Sequence, residues 1–219
     1  MFYYDMNWSI TWKVMLSWFI VVMVILGVAG EWSVVAFGVT FGLVYGGVAY
    51  RYRKKVKPFF EKINLDNYAG FLLLAVIVTV GEEVYCYILG NQIAHPVLWV
   101  DLVLVTVMWW VWFSTWYFFL SRRYYFEEKA ALMTAGFTGV LYEFVGTGEI
   151  FKNPLGIVVA VPLAVVVYAA IFALPLQLIT FTGDITSRQK YVVGSVLPFL
   201  LTIPVALGLY LILAGFGIQ

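Results

Sequence analysis

The chain has little charge. Asp, Glu, Lys and Arg make up 11% of its 219 residues, while 63% are hydrophobic. Soluble domains carry roughly a quarter charged residues and must cover themselves with polar groups, so an ordinary soluble enzyme and a disordered chain are excluded. The single cysteine, Cys86, rules out an intrachain disulfide. The single histidine, His95, rules out a multi-histidine metal site within one chain. A net charge of +1 leaves no basic face for nucleic acid, so no nucleic-acid partner is expected. No cofactor motif is present, and no cofactor is expected.

What the chain has is long apolar runs. A membrane-spanning helix needs about 20 mostly apolar residues. Seven segments read as spans: residues 10–29, 32–50, 68–90, 97–120, 130–145, 154–181 and 191–216. A membrane barrel would alternate polar and apolar residues in segments of about 10, and these runs are apolar all round. The expected fold is therefore all-α: a polytopic integral membrane protein of the cell membrane, with one seven-helix transmembrane domain over residues 1–219. Gly30-Glu31 alone joins the first two spans, which predicts a tight antiparallel hairpin. Val28-Ala29-Gly30 has the form of a leader cleavage site, but the run before it is longer than a usual signal core, so it is expected to remain as a span. A three-plus-one-plus-three repeat, as in some small channels and sugar transporters, would suit seven spans at the level of fold analogy.

Orientation follows from lysine and arginine, which favour cytoplasmic loops. With the N-terminus cytoplasmic, the inner side holds Lys13, Arg51, Arg53, Lys54, Lys55, Lys57, Lys62, Arg122, Arg123, Lys129, Arg188 and Lys190. Only Lys152 is left outside. The N-terminus is expected inside and the C-terminus outside, which puts the Asn7-Trp8-Ser9 glycosylation pattern in the cytoplasm.

The acids sort differently. Asp5, Glu61, Asp66, Glu127, Glu128 and Asp184 lie among the inner bases, while Glu31, Glu82, Glu83, Asp101, Glu143 and Glu149 lie in the outer half. Glu82 and Glu83 lie 14 and 15 residues past Tyr68, roughly 21 Å into a core of about 30 Å. Glu143 reaches about 20 Å along the fifth span, and Asp101 lies roughly 6 Å below the outer surface. Four carboxyls thus fall in one outer layer. Hydrocarbon is costly for a carboxylate, so these groups are expected to face the bundle interior or a water-filled cavity. Crowding and burial both favour the protonated carboxyl unless a cation joins it.

Neighbours on the third span fit such a site. Tyr85 and Cys86 follow Glu82 by three and four residues, Cys86 and Tyr87 follow Glu83 likewise, and Thr79 lies one turn below. His95, before Pro96 in an outer loop, supplies basic company when protonated. Gly136, Gly139, Glu143 and Gly146 share one face of the fifth span, where glycine admits close approach of a neighbour. Gly38, Gly42 and Gly46 form a similar packing stripe on the second. Trp109, Trp110, Trp112 and Trp116 load the fourth span with rings, which wall a pocket or simply pack. Arg51 to Lys57 is a polybasic segment that invites anionic lipid. Pro162, Pro175, Pro198 and Pro204 are expected to break the last two spans, freeing carbonyls that bind cations in many transporters.

Glu82-Glu83 on a membrane helix resembles the paired-glutamate motif of the CPBP family of intramembrane glutamic proteases. The resemblance covers about six residues. Tyr87 stands where that family has an arginine, and the family's later helical histidines are missing. The resemblance implies Glu82 or Glu83 as the general base that activates water.

Three functions compete on this reading. The first is a transporter or channel whose cation- or proton-binding residues are Glu82, Glu83, Glu143 and Asp101, supported by Thr79, Tyr85, Tyr87 and His95. Its partners are the lipid bilayer and a small cation or a proton. The second is a membrane-embedded enzyme with a glutamate general acid or base, acting on a lipid, isoprenoid or peptide. The third is a non-catalytic assembly subunit with buried acids joining helices.

Overall fold

The computed structural model describes residues 7–91 and 94–217. Asp5 lies outside the described residues. Within them the chain is helical without a strand, apart from one bridge between Tyr124 and Ile185. The first four long helices are α1 (Trp8–Ala29), α2 (Trp32–Lys62), α3 (Tyr68–Ile88) and α4 (Leu98–Arg123). Next comes α5, α-helical over Glu128–Val140 and continued by π turns over Leu141–Gly146. Helices α6 (Pro154–Ala173) and α7 (Gln189–Gly215) complete the set.

Six of these helices are long and apolar enough to cross a membrane, as in a multi-pass membrane protein. Helix α5 is not among the six, although the sequence reading made it the fifth of seven spans. Glu128, Lys129, Glu143, two threonines and three glycines dilute its apolar content. Its burial compensates: Ala130 through Gly136 are all buried. It packs chiefly on α6, and also on α7 and α1. A Cβ on Gly136 would lie 2.6 Å from the Val165 carbonyl oxygen, so α5 and α6 meet backbone to backbone. The stripe on α2 does similar work. Gly42 abuts Val166, and a Cβ on Gly46 would lie 2.9 Å from that of Ala170.

The helix ends have local causes. Asn67 Oδ1 accepts from the amides of Ala69 and Gly70 at 3.0 and 3.3 Å and starts α3. Asn7 does the same for Ser9 and Ile10 at 3.2 and 3.3 Å, so α1 starts at Trp8, earlier than residue 10. Gly30 adopts φ 89°, and the amides of Gly30 and Glu31 bond back to Gly27 and Leu26. This Schellman closure lets α1 turn directly into α2. Gly90 closes α3 in the same way against Tyr87 and Cys86.

The prolines act less uniformly than expected. Pro175 does end the sixth long helix, which stops at Ala173 and gives way to a 3-10 turn over Pro175–Leu178 instead of running to residue 181. Pro162, Pro198 and Pro204 sit inside unbroken helices. Pro198 lacks an N–H, which frees the Gly194 carbonyl. Thr138 Oγ1 of α5 donates to that carbonyl at 3.5 Å, and Ser195 Oγ donates to Thr134 O at 3.0 Å. The neighbouring helix thus partly supplies what the proline removes.

At the basic end, Arg53 pairs with Glu128, and Gln177 Nε2 donates to the same carboxylate at 3.1 Å. This contact ties α2 to the start of α5 and to the turn after α6.

Candidate functional site

Helix α3 carries a buried stripe of Phe71, Ala75, Val78, Thr79, Glu82 and Cys86. Its three- and four-residue spacing aims Glu82 inward, and Glu82 is only 7% exposed. Glu83, one position round, is half-buried. Asp101, in the first turn of α4, is 0% exposed. Glu143 lies in the π segment of α5. Glu82 is within electrostatic range of Glu83, Glu143 and Asp101, and Glu83 of Asp101 and Glu143. The four carboxyls therefore form one cluster drawn from three helices.

Their partners differ. Glu143 Oε1 accepts from Tyr168 Oη at 2.6 Å. Glu143 keeps accessible surface. Cys86 Sγ donates to Glu82 Oε1 at 3.6 Å. Asp101 Oδ1 accepts from the backbone amide of His95 at 3.1 Å. His95 Nδ1 accepts from the Val97 amide at 3.0 Å, which assigns the proton of the neutral ring to Nε2. Among the described residues, Asp101 Oδ2, His95 Nε2 and Asn91 Oδ1 are buried with no hydrogen-bond partner.

The supporting residues separate. His95 is joined to Asp101 as described. Thr79 Oγ1 donates to Ala75 O and Val76 O of its own helix, at 3.0 and 3.1 Å, and so spends its proton locally. Tyr85 turns to α2, where its hydroxyl meets Thr40 Oγ1 at 2.8 Å. Thr40 already donates to Ala36 O at 2.6 Å, so Tyr85 is the donor. Tyr87 is exposed on the opposite side of α3 from the buried stripe. The glycine face of α5 does serve the site. A Cβ on Gly139 would overlap the Tyr168 ring, so the missing side chain makes the slot from which Tyr168 reaches Glu143.

Tyr168 is the residue that sequence reasoning missed. A phenol in the run Val165-Val166-Val167-Tyr168 is the signal, since a buried tyrosine hydroxyl needs a partner. Its ring rests on Trp109 at 5.0 Å and near Trp112 at 6.1 Å, and Tyr142 stacks beside it at 6.2 Å. Farther along α4 and α6, Trp112 meets Phe172 at 5.3 Å and Phe172 meets Trp116 at 5.0 Å. Packed rings therefore fill the bundle next to the carboxyls. Trp110, by contrast, is exposed and donates its indole N–H to Tyr68 at 2.7 Å.

The cluster is not a ready-made metal cage. Among the described residues, no three His, Cys, Asp or Glu side chains converge closely enough to hold a metal ion. Its chemistry is that of crowded carboxyls with one phenol donor, Tyr168 on Glu143. Comparison with models of protein families, with curated proteins and with solved structures finds no match to this chain.

Proposed function

We propose that this chain is a cell-membrane transporter or channel whose outer-half carboxyl cluster exchanges protons with the outside, coupled to or replaced by a small cation. In this reading α5 is the fifth of seven spans, the N-terminus is cytoplasmic and the C-terminus is outside. The observation that carries the reading is the gathering of Glu82, Glu83, Asp101 and Glu143 from three helices, with Glu82 and Asp101 buried. Charged side chains inside membranes mark ion pathways and proton relays more often than structural contacts. Accessibility supports an order of events. Glu143 is exposed, Glu83 is half-buried, and Glu82 and Asp101 are enclosed. A proton taken up at Glu143 has neighbouring carboxyls to pass to, and the rings around Tyr168 close the path beyond them.

The test is flux into proteoliposomes containing a pH-sensitive dye, driven by a pH gradient with and without sodium or potassium. The wild-type chain should acidify or alkalinise the lumen faster than empty vesicles. A Glu82→Gln, Glu83→Gln double variant that folds and reconstitutes equally well should not. Equal flux in both proteins defeats the proposal.

A further inference from the structure

A second site lies at the basic end of the bundle. A half-open cavity of about 360 Å³ sits between α1, α2, α5 and α6, within the range of about 300–1,000 Å³ typical of small-ligand sites. Its wall is built from small side chains, with Gly46 packed on Ala170, and a Cβ on Gly47 would meet nothing within 4 Å. The glycine and alanine content of α2 and α6 therefore leaves a slot as well as a packing surface. Two cations line the cavity, Lys13 from α1 and Lys129 from α5. No carboxylate lines it. Among the described residues the ion pairs join Arg53 to Glu128 and Lys152 to Glu149, and neither cavity lysine has an acidic partner among those residues. The Trp12 indole donates to Lys129 O at 3.0 Å, which fixes the start of α5 beside α1 and holds the two lysines on one cavity.

Hydrocarbon walls with two unpaired ammonium groups complement an anionic amphiphile. We infer that this cavity binds an anionic phospholipid of the inner leaflet. The phosphate sits between Lys13 and Lys129, and one acyl chain lies along the slot beside Gly46, Gly47 and Ala170. The polybasic run of Arg51 to Lys57 begins beside the cavity, where Arg53 stacks on the Tyr50 ring, but Arg53 is paired with Glu128, and the inference does not depend on what the outer carboxyls do.

The experiment is lipid titration of the purified chain in detergent, read by native mass spectrometry and by thermal stability. The probes are phosphatidylglycerol, phosphatidylcholine and inorganic phosphate. Phosphatidylglycerol should bind and raise the melting temperature, and the other two should do neither. A Lys13→Gln, Lys129→Gln double variant should bind phosphatidylglycerol about thirtyfold more weakly, the combined effect of two lysine contacts. Gly47→Leu keeps both lysines but fills the slot, and should lose the same stabilisation. Lys54→Gln, Lys55→Gln, Lys57→Gln should retain it. Undiminished binding by the double lysine variant overturns the inference. So does equal stabilisation by phosphatidylcholine or phosphate, or loss confined to the Lys54, Lys55 and Lys57 variant.

Discussion

Replacing Gly139 with alanine tests whether helix packing positions the carboxyl layer. The new Cβ would lie 2.5 and 2.8 Å from Cδ2 and Cδ1 of Tyr168. Carbon atoms in ordinary contact are about 3.5–4.0 Å apart, so the ring must retreat by roughly 1 Å. Tyr168 is 7% exposed and backed by Trp109 and Trp112, so it retreats into filled space. Overpacking of that kind costs about 1–3 kcal/mol. The retreat also stretches the 2.6 Å bond to Glu143, and hydrogen bonds between membrane helices contribute about 0.6 kcal/mol on average and up to about 1.7. Alanine recovers about 1 kcal/mol of helix propensity over glycine. The net loss lies between about 0.6 and about 4 kcal/mol. At about 2–4 °C per kcal/mol for a chain of this size, melting should fall by about 1–16 °C. The assay is thermal unfolding of Gly139→Ala, of Tyr168→Phe and of the double variant. Tyr168→Phe alone should cost about 0.6–1.7 kcal/mol, because it removes the bond and leaves the ring. Gly139→Ala acts partly through the same bond, so the double variant should lose less than the sum of the two. A Gly139→Ala protein at least as stable as wild type, or strictly additive losses, would refute the reasoning.

Two further outcomes are expected. Asn67→Ala removes the acceptor for the Ala69 and Gly70 amides and should cost about 1 kcal/mol; hydrogen exchange should speed up at those two amides and leave the middle of α3 unchanged. In a Cys86→Ser background, Lys152→Cys should react with a membrane-impermeant maleimide added to intact cells, whereas Lys54→Cys should react only after lysis. The reverse pattern would invert the proposed orientation.

The apolar runs made most of the helices legible, because their spacing and length depend on composition alone. Boundaries depended on single residues, as Asn7 and Asn67 show at helix starts and Pro175 at a helix end. The π turns of α2, α4 and α5 were not legible. A shift from i→i+4 to i→i+5 bonding responds to packing between helices, which one sequence does not record. The carboxyl cluster was readable from depth along each span. Its neighbours were only partly so, because the three- and four-residue rule applies to whichever glutamate faces inward. Glu82 takes that place, so Cys86 joins it, while Tyr87, four residues after the half-buried Glu83, points away. Tyr168 was hidden by its surroundings, a phenol that counts as hydrophobic in an apolar run until its hydroxyl partner is known.

The ring-packed layer beside the carboxyls has a mechanical consequence. Phe, Tyr and Trp each turn about only two side-chain bonds, so a layer made of them has few alternative arrangements and yields little. Smaller aliphatic side chains in the same volume would interlock over less surface and leave more room to shift. Trp109, Trp112, Phe172 and Trp116 act instead as a stiff floor. Under the proposed function, a change in charge at Glu82 or Glu143 would then be relayed as displacement of whole helices, with α4 and α6 coupled through their shared rings.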